Sequence, residues 1–179
     1  STAELLVHSA IETYGLKAII IRPANNYGPW QYPEKFIPVI ITKALNKERI
    51  PIYGKGAQIR EWLYVDDCAR AVALIAQKGK MGETYNVGSA YEAPNLAIAK
   101  FILKTLNQPT SLIKFVKDRP GHDFRYSVDT RKLYKLGFKP KVHFNEGITK
   151  TIEWHISQRK WLQEKSHHLS AYWKKVYRT

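Results

Sequence analysis

The chain has 179 residues, 44% of them hydrophobic and 25% charged, an ordinary soluble composition with enough length for one sizeable core or parts of two domains. No apolar run approaches membrane-spanning length, the polar N-terminus is not a signal peptide, and Cys68 is alone, so no internal disulfide is expected and the cytoplasm is the default compartment. A formal charge of +14, from 29 basic and 15 acidic residues, raises anionic partners, yet no nucleic-acid recognition module and no zinc-type ligand spacing is present, so neither nucleic acid nor metal is expected.

Residues 3–14 carry Leu5, Leu6, Ala10 and Ile11 at near-helical spacing and run into Gly15, a suitable residue just past a helix end. Residues 18–21, with three isoleucines in a row, read as a strand buried on both faces in a parallel sheet. Arg22 and Pro23 are expected to stop it. Asn25-Asn26-Tyr27-Gly28-Pro29 follows as a polar loop at the strand's end, where open α/β sheets bind ligands. The strand that should precede the first helix is missing, which is the first sign of a fragment.

Further along, residues 36–45 read as a helix with Pro38 in its first turn, and residues 50–53 and 60–65 as two strands of a hairpin about Gly54 and Gly56. Asp66 or Asp67 is expected to cap a helix over 68–77. A turn at 79–82 leads to a strand over 84–88, and Asn95 is expected to cap a helix over 95–106. A strand over 112–116 precedes a loop at 118–125, broken by Pro120 and Gly121. A short helix at 130–136 ends at Gly137, and Asn145 is expected to cap a final helix reaching about residue 165. From 156 onward six basic side chains (Arg159, Lys160, Lys165, Lys174, Lys175, Arg178) stand against Glu164 alone, so 166–179 reads as a basic tail, docked or mobile.

Five polar clusters fall at strand ends or in loops: Asn25/Asn26, Glu34/Lys35, the 51–60 hairpin, Asn86, and 118–122. Arg60 and Arg119 offer planar forks suited to phosphate oxygens and Lys35 a point charge, a set that suits a nucleoside diphosphate. Each has a purely structural alternative: Asn86 as a turn cap, Arg60 paired with Glu61 or Asp67, and Arg119 paired with Asp118 or Asp123. Gly54 and Gly56 lack the third glycine of a phosphate-binding fingerprint.

The segments RPANNYGP, YPEKFIP, PIYGKGAQIREWLYVDD, GETYNVG, DRPGHDFRYSVD and EGITKTIEW resemble, in order and wording, the C-terminal portion of the dTDP-glucose 4,6-dehydratases, a family of extended short-chain dehydrogenase/reductases. The resemblance covers residues 1–155. It implies an α/β fold: the C-terminal part of an NAD(P)-binding Rossmann-like domain over 1–24 and 60–88, with a smaller nucleotide-sugar-binding domain over 25–59 and 89–165. It implies that Asn25 contacts the sugar nucleotide and Asn26 the nicotinamide of NAD, that Lys35 and Phe36 help hold the substrate, and that Pro51, Ile52 and Tyr53 line base and ribose. Arg60 would bind the diphosphate with Asn86 beside it, and Asp118, Arg119, Pro120, Gly121 and His122 would close over the nucleotide. The implied reaction is oxidation of a dTDP-sugar by NAD, loss of water and return of the hydride.

The family's Tyr-x-x-x-Lys pair and glycine fingerprint do not occur in this sequence, and its acid/base carboxylate also belongs to the upstream part. The expectation is therefore a half-enzyme that holds the substrate side, is inactive alone and self-associates, with a homodimer implied by the resemblance. A related UDP-sugar epimerase or decarboxylase, or a non-catalytic basic binding module, are the alternatives.

Overall fold

The computed structural model describes residues 2–166. Helix α1 (Thr2–Tyr14) ends where Gly15, at φ +64°, returns its N–H to the Ile11 carbonyl at 3.0 Å, the left-handed turn its sequence position calls for. No residue of α1 is buried, and Leu5 and Leu6 are 71% and 72% exposed. Strand β1 (Ile20–Pro23) starts later than its apolar run, is half-buried to exposed along its length, and includes Pro23 as its last residue. The expected burial on both faces is absent, and among the described residues β1 has a strand partner on one edge only.

The segment read as a polar loop is a strand. After Ala24, whose N–H bonds the Val87 carbonyl at 2.8 Å, the chain enters β2 (Asn25–Tyr27). Its amides mask the strand pattern, but the ladder is a backbone property and asks only for an adjacent edge. Helix α2 (Phe36–Leu45), β3 (Ile50–Tyr53) and β4 (Ile59–Tyr64) follow. The expected hairpin between the last two does not form. β3 pairs in parallel with β7 (Ile113–Val116), Ile50 opposite Ile113, while β4 runs parallel to β2 with Asn25 opposite Trp62. The turn at Gly54 and Gly56 serves packing: a Cβ on Gly56 would meet Ile52 at 2.7 Å and Leu96 at 2.8 Å.

Helix α3 (Val65–Lys78) begins before either aspartate, so Asp66 and Asp67 sit inside its first turn, favourable to the helix dipole, rather than capping it. Strand β5 (Thr84–Val87) pairs in parallel with β1, Arg22 opposite Asn86. A strand unread in the sequence, β6 (Glu92–Pro94), pairs antiparallel with β4, and helix α4 (Asn95–Thr105) follows with Pro94, not Asn95, at its N-cap. A 3-10 turn (Thr110–Leu112) leads into β7. The 118–124 loop ends in β8 (Arg125–Tyr126), parallel to β4 with Arg60 opposite Tyr126. Helices α5 (Arg131–Lys135) and α6 (Phe144–Ser157) complete the order; His143 rather than Asn145 is the N-cap of α6, and helix resumes over 159–166 after a turn at Gln158. Apart from Ser166, the basic tail lies outside the described residues.

Two apolar clusters lie on either side of β4. Trp62 and Tyr64 join Tyr27 and residues of α2, α4 and α6 in one, whereas Leu63 joins Ala71 and Ile75 of α3, Tyr85 and Val87 of β5, and Leu133 of α5 in the other. The period of two along a strand produces this split. Leu133, Leu136 and Phe138 thus pack beside β5 and α3, although the sequence reading groups them with the residues of α2, α4 and α6.

Candidate functional site

The same alternation sorts the two asparagines. Residues opposite one another in a parallel pair share a face, so Asn25, opposite Trp62, points to the first cluster's side and Asn26, opposite Leu63, to the second. Each amide oxygen is buried with no hydrogen-bond partner among the described residues. Asn26 Nδ2 reaches the Ala24 carbonyl at 3.3 Å, which holds the side chain from behind, and Gln31 Nε2 donates to the main-chain carbonyl of Asn26 at 2.8 Å. Burial pushes the neighbouring Cys68 thiol up, with an Asn26 hydrogen bond acting the other way.

An open depression of about 370 Å³ brings Asn25 together with Arg60 and Arg119, walled by Pro23, Ala24, Asp123 and Tyr126. Arg60 donates to its own neighbour's carbonyl, Ile59 O at 2.8 Å, and to Asp123 O at 3.0 Å. Neither Glu61 nor Asp67 pairs with it. Asp67 is buried against Arg70 and the N–H groups of Lys141 and Val142, and Glu61 is fully buried on the opposite face of β4. The Arg119 guanidinium pairs with neither Asp118 nor Asp123; only its backbone N–H bonds Asp118 Oδ1, at 2.9 Å. Two guanidinium groups without carboxylate partners among the described residues therefore face one concavity, an arrangement fitted to a phosphate-type anion.

Beside it the 118–122 loop is pinned through one carboxylate. Asp118 Oδ1 lies 2.7 Å from His122 Nδ1 and Oδ2 accepts from Gln58 Nε2 at 2.5 Å. These contacts, the His122 hydrogen bond foremost, hold the Asp118 carboxyl below the usual range. The His122 ring stands edge-on to Tyr53 with centroids 6.1 Å apart. Pro51 and Tyr53 are exposed on the same strand, and Pro120 and Gly121 are exposed at the loop tip.

Other sequence-stated residues fall elsewhere. Ile52 is 1% exposed and packs in the core, because β3 alternates and turns only Pro51 and Tyr53 outward, so its side chain cannot line a base. Lys35 is exposed and paired with Glu34 at 2.8 Å, and Phe36 stacks on Trp62 with centroids 6.0 Å apart; neither lines the depression. Asn86 is not beside Arg60 but lines a separate depression with Asp129, Arg131, Lys132 and Lys135, donating to the Asp129 carbonyl at 3.1 Å.

Three participants escaped the sequence reading. Tyr126 reaches the depression only because β8 pairs with β4, a two-residue strand with no pattern of its own. Gln58 is a single uncharged amide between strands. Glu61 accepts the N–H groups of Ala90 at 2.8 Å and Val128 at 2.9 Å, tying two loops to β4. Its alternation with Leu63 on the inward face was the available signal. Among the described residues no helix is long and apolar enough to cross a membrane, and no group of His, Cys, Asp or Glu could hold a metal ion.

Residues 1–88 match the model of the NAD dependent epimerase/dehydratase family. Over 90% of its length the chain is 43% identical to a dTDP-glucose 4,6-dehydratase of Streptomyces niveus and 44% identical to dTDP-glucose 4,6-dehydratase 1 of Escherichia coli. The dTDP-glucose 4,6-dehydratase of Streptomyces venezuelae, solved with NAD bound, superposes with a TM-score of 0.88 over 90% of this chain and 50% of its own, at 40% identity. The chain spans about half the length of the curated relatives it matches, 48% and 47% for the first two. Sequence agreement with the NAD dependent epimerase/dehydratase family runs through β1, β2 and α3, and structural agreement with the Streptomyces venezuelae enzyme extends over nine-tenths of the chain.

Proposed function

We propose that this chain is the sugar-nucleotide-binding side of a dTDP-glucose 4,6-dehydratase, an enzyme converting dTDP-glucose to dTDP-4-keto-6-deoxyglucose. The observation that carries the reading is the pair of buried, unpartnered amide oxygens of Asn25 and Asn26, turned to opposite faces of β2 where the chain leaves β5 for β4. A side chain on each face lets one strand touch two ligands at once. On the Asn25 side, Arg60 and Arg119 take the diphosphate, and Asn25 positions the sugar nucleotide at the mouth of the depression. The exposed Tyr53 ring and His122 offer flat surfaces to base and ribose, held by the Asp118 carboxylate.

On the Asn26 side, an unpartnered acceptor fits the amide N–H of a nicotinamide, so Asn26 would hold that end of NAD. NAD, when bound, supplies hydride acceptance and return. The residues of this chain bind and orient; the sequence contains no Tyr-x-x-x-Lys pair, and proton transfer is assigned to other residues of the dehydratase. The two clusters flanking β4 support a division into the end of a dinucleotide domain and a nucleotide-sugar domain, and an assembly of two copies remains part of the reading. The cytoplasm is its proposed compartment.

Calorimetric titration of the purified chain with dTDP and UDP tests it. Saturable dTDP binding, weakened roughly tenfold or more by Arg60→Ala, is expected, since a lost charge-assisted hydrogen bond costs about 1.5–3 kcal/mol. Tighter binding of UDP would instead favour a UDP-sugar epimerase or decarboxylase. Salt-sensitive binding to DNA or RNA of any sequence, with no dTDP binding, would favour the basic module. The chain alone with NAD and dTDP-glucose is expected to show no turnover.

A further inference from the structure

The strand that carries Asn25 and Asn26 runs into a turn whose backbone suits a smaller residue than the one it holds. The Gln31 N–H reaches the Gly28 carbonyl at 3.4 Å, closing a turn over Pro29 and Trp30, and Trp30 sits at φ +64°. Positive φ at the third turn position is the type II pattern, a place normally filled by glycine or asparagine. Lys47 and Asn107 also have positive φ, but each follows the cap of a helix, α2 or α4, where that conformation is ordinary. No helix ends at Trp30, so a bulky side chain is held there against its own backbone preference.

Two other tryptophans hold it. The Trp30 ring packs on Trp154 of α6 with centroids 5.1 Å apart and edge-on against Trp161 of the following helical segment at 5.5 Å, and those two meet each other at 5.5 Å. Trp30 stays 64% exposed, so these ring contacts rather than full burial fix its place. About two turns earlier α6 meets β2 itself. There a Cβ on Gly147 would lie 2.3 Å from Tyr27 Oη, which donates to the Phe144 carbonyl at 3.3 Å. Helix α6 therefore touches both β2 and the turn that leaves it. The next residue, Gln31, donates its Nε2 to the Asn26 main-chain carbonyl at 2.8 Å. Because β2 has three residues and, among the described residues, a strand partner only in β4, this bond is a large share of what fixes Asn26.

We propose that Trp30 is a positioning residue: its ring, packed on Trp154 and Trp161, fixes the left-handed turn that brings Gln31 to the Asn26 carbonyl, and so sets how β2 presents Asn25 and Asn26. Trp30 is not among the walls of the depression and acts through Gln31 and the strand. A turn held by ring packing rather than by backbone preference leaves the left-handed region when the packing is lost, and Gln31 then leaves Asn26. The helical segment at 159–166 becomes part of the support of the site, although none of its residues lines the depression. For its ligand the proposal rests on the nucleotide reading above.

The test uses the full 179-residue chain labelled with 15N. Trp161→Leu removes one anchor without altering the turn, and Trp30→Gly removes the ring while leaving a residue that accepts positive φ. Both are expected to shift the Asn26 side-chain amide resonances and to weaken dTDP binding roughly three- to tenfold, whereas Trp30→Phe should keep most of the affinity. Urea midpoints read stability separately. A merely structural role would move the midpoints and leave the Asn26 amide and the dTDP affinity of the folded variants unchanged, and that result overturns the proposal. The unaltered chain supplies a check that needs no variant to fold: dTDP saturation should shift the Trp30 indole N–H resonance, because coupling between two sites is reciprocal. Saturation that leaves it unmoved also overturns the proposal. If the unaltered chain binds no dTDP, the nucleotide reading fails, and the Asn26 amide resonances of the two variants decide the role of Trp30 alone, shifted to uphold it and unmoved to overturn it.

Discussion

Gly88 and Glu61 are packed so closely that a Cβ on the glycine would lie 2.1 Å from Glu61 Oε1. Gly88 has no positive φ, so the requirement is for space alone. Glu61 cannot retreat without giving up the Ala90 and Val128 N–H groups, at 2.8 and 2.9 Å, and it is fully buried. Gly88→Ala is therefore expected to destabilise the fold by about 2 kcal/mol or more, from overpacking and a broken buried hydrogen bond. Glu61→Gln keeps one acceptor oxygen but sets an NH2 against a backbone N–H, with an expected cost of about 1–3 kcal/mol. Urea unfolding of both variants checks this; midpoints equal to that of the unaltered chain would sink the account.

The 118–122 loop depends on the Asp118 carboxylate, which His122 and Gln58 grip from two sides at 2.7 and 2.5 Å. Its pKa is depressed in the fold from an ordinary 3.8, the His122 hydrogen bond being the main cause. A depressed acid contributes order that is full above the ordinary value and is lost as pH falls through the lower folded value. The Gly121 and His122 amides should accordingly lose protection, relative to the intrinsic exchange rate at each pH, on acidification below about pH 4. Asp118→Ala should produce the same loss of protection at neutral pH and weaken dTDP binding. Unchanged exchange in that variant would show that the loop is held by other contacts.

His155 loses its contribution in the same direction but at higher pH. Burial lowers its pKa from the ordinary 6.5, and it is wholly buried with Nδ1 bonded to the Thr151 carbonyl. The unfolded chain takes up a proton as pH falls through 6.5 while the folded chain resists. The contribution is complete above that value and declines below it, levelling once pH passes beneath the folded pKa. Thermal unfolding between pH 7 and pH 5 should show this loss, and His155→Phe should flatten it. A variant with the same pH slope would place the titration elsewhere, Asp118 excepted, since its window is more acidic.

Helix periodicity made most of the α elements readable, because Leu, Ile and Ala recur on one face in α2, α3, α4 and α6. Gly15 and Gly137 also stand where positive φ values of 64° and 96° are needed. Strand partners were not readable. β2 and β6 are three residues each, and the pairing of β3 with β7 joins residues about sixty positions apart, which no local pattern encodes. Individual charges such as Arg60 and Arg119 could be picked out as anion ligands because five donors in a plane suit phosphate wherever they sit. Their meeting with Asn25 in one depression, and the placement of Asn86 in another, required the β2–β4–β8 and β1–β5 ladders. Ile52 shows the limit: a family motif names a stretch, and only the strand's alternation says which of its residues faces out.

Helix α1 is held differently from the rest. It buries no residue, and its Leu5 and Leu6 are exposed, so packing contributes little to its position on this chain. A fork of hydrogen bonds from the Arg22 guanidinium at the end of β1 to the Glu4 carboxylate ties it down, one arm measuring 2.9 Å from Nε to Oε1. The Arg22 hydrogen bond pulls the Glu4 pKa down to about 2. Because the folded value is the depressed one, the tie holds from neutral pH down through the ordinary carboxylate range and is released only as pH falls through about 2. Glu4→Gln should remove it at every pH. The expected signature is faster amide exchange confined to α1, with the denaturant midpoint of the remaining structure unchanged, because opening of an end helix is a local event separate from global unfolding. If exchange in α1 stays as slow as in the unaltered chain, an apolar contact through Leu5 and Leu6 with a second copy holds the helix, and a concentration-dependent exchange rate would identify it.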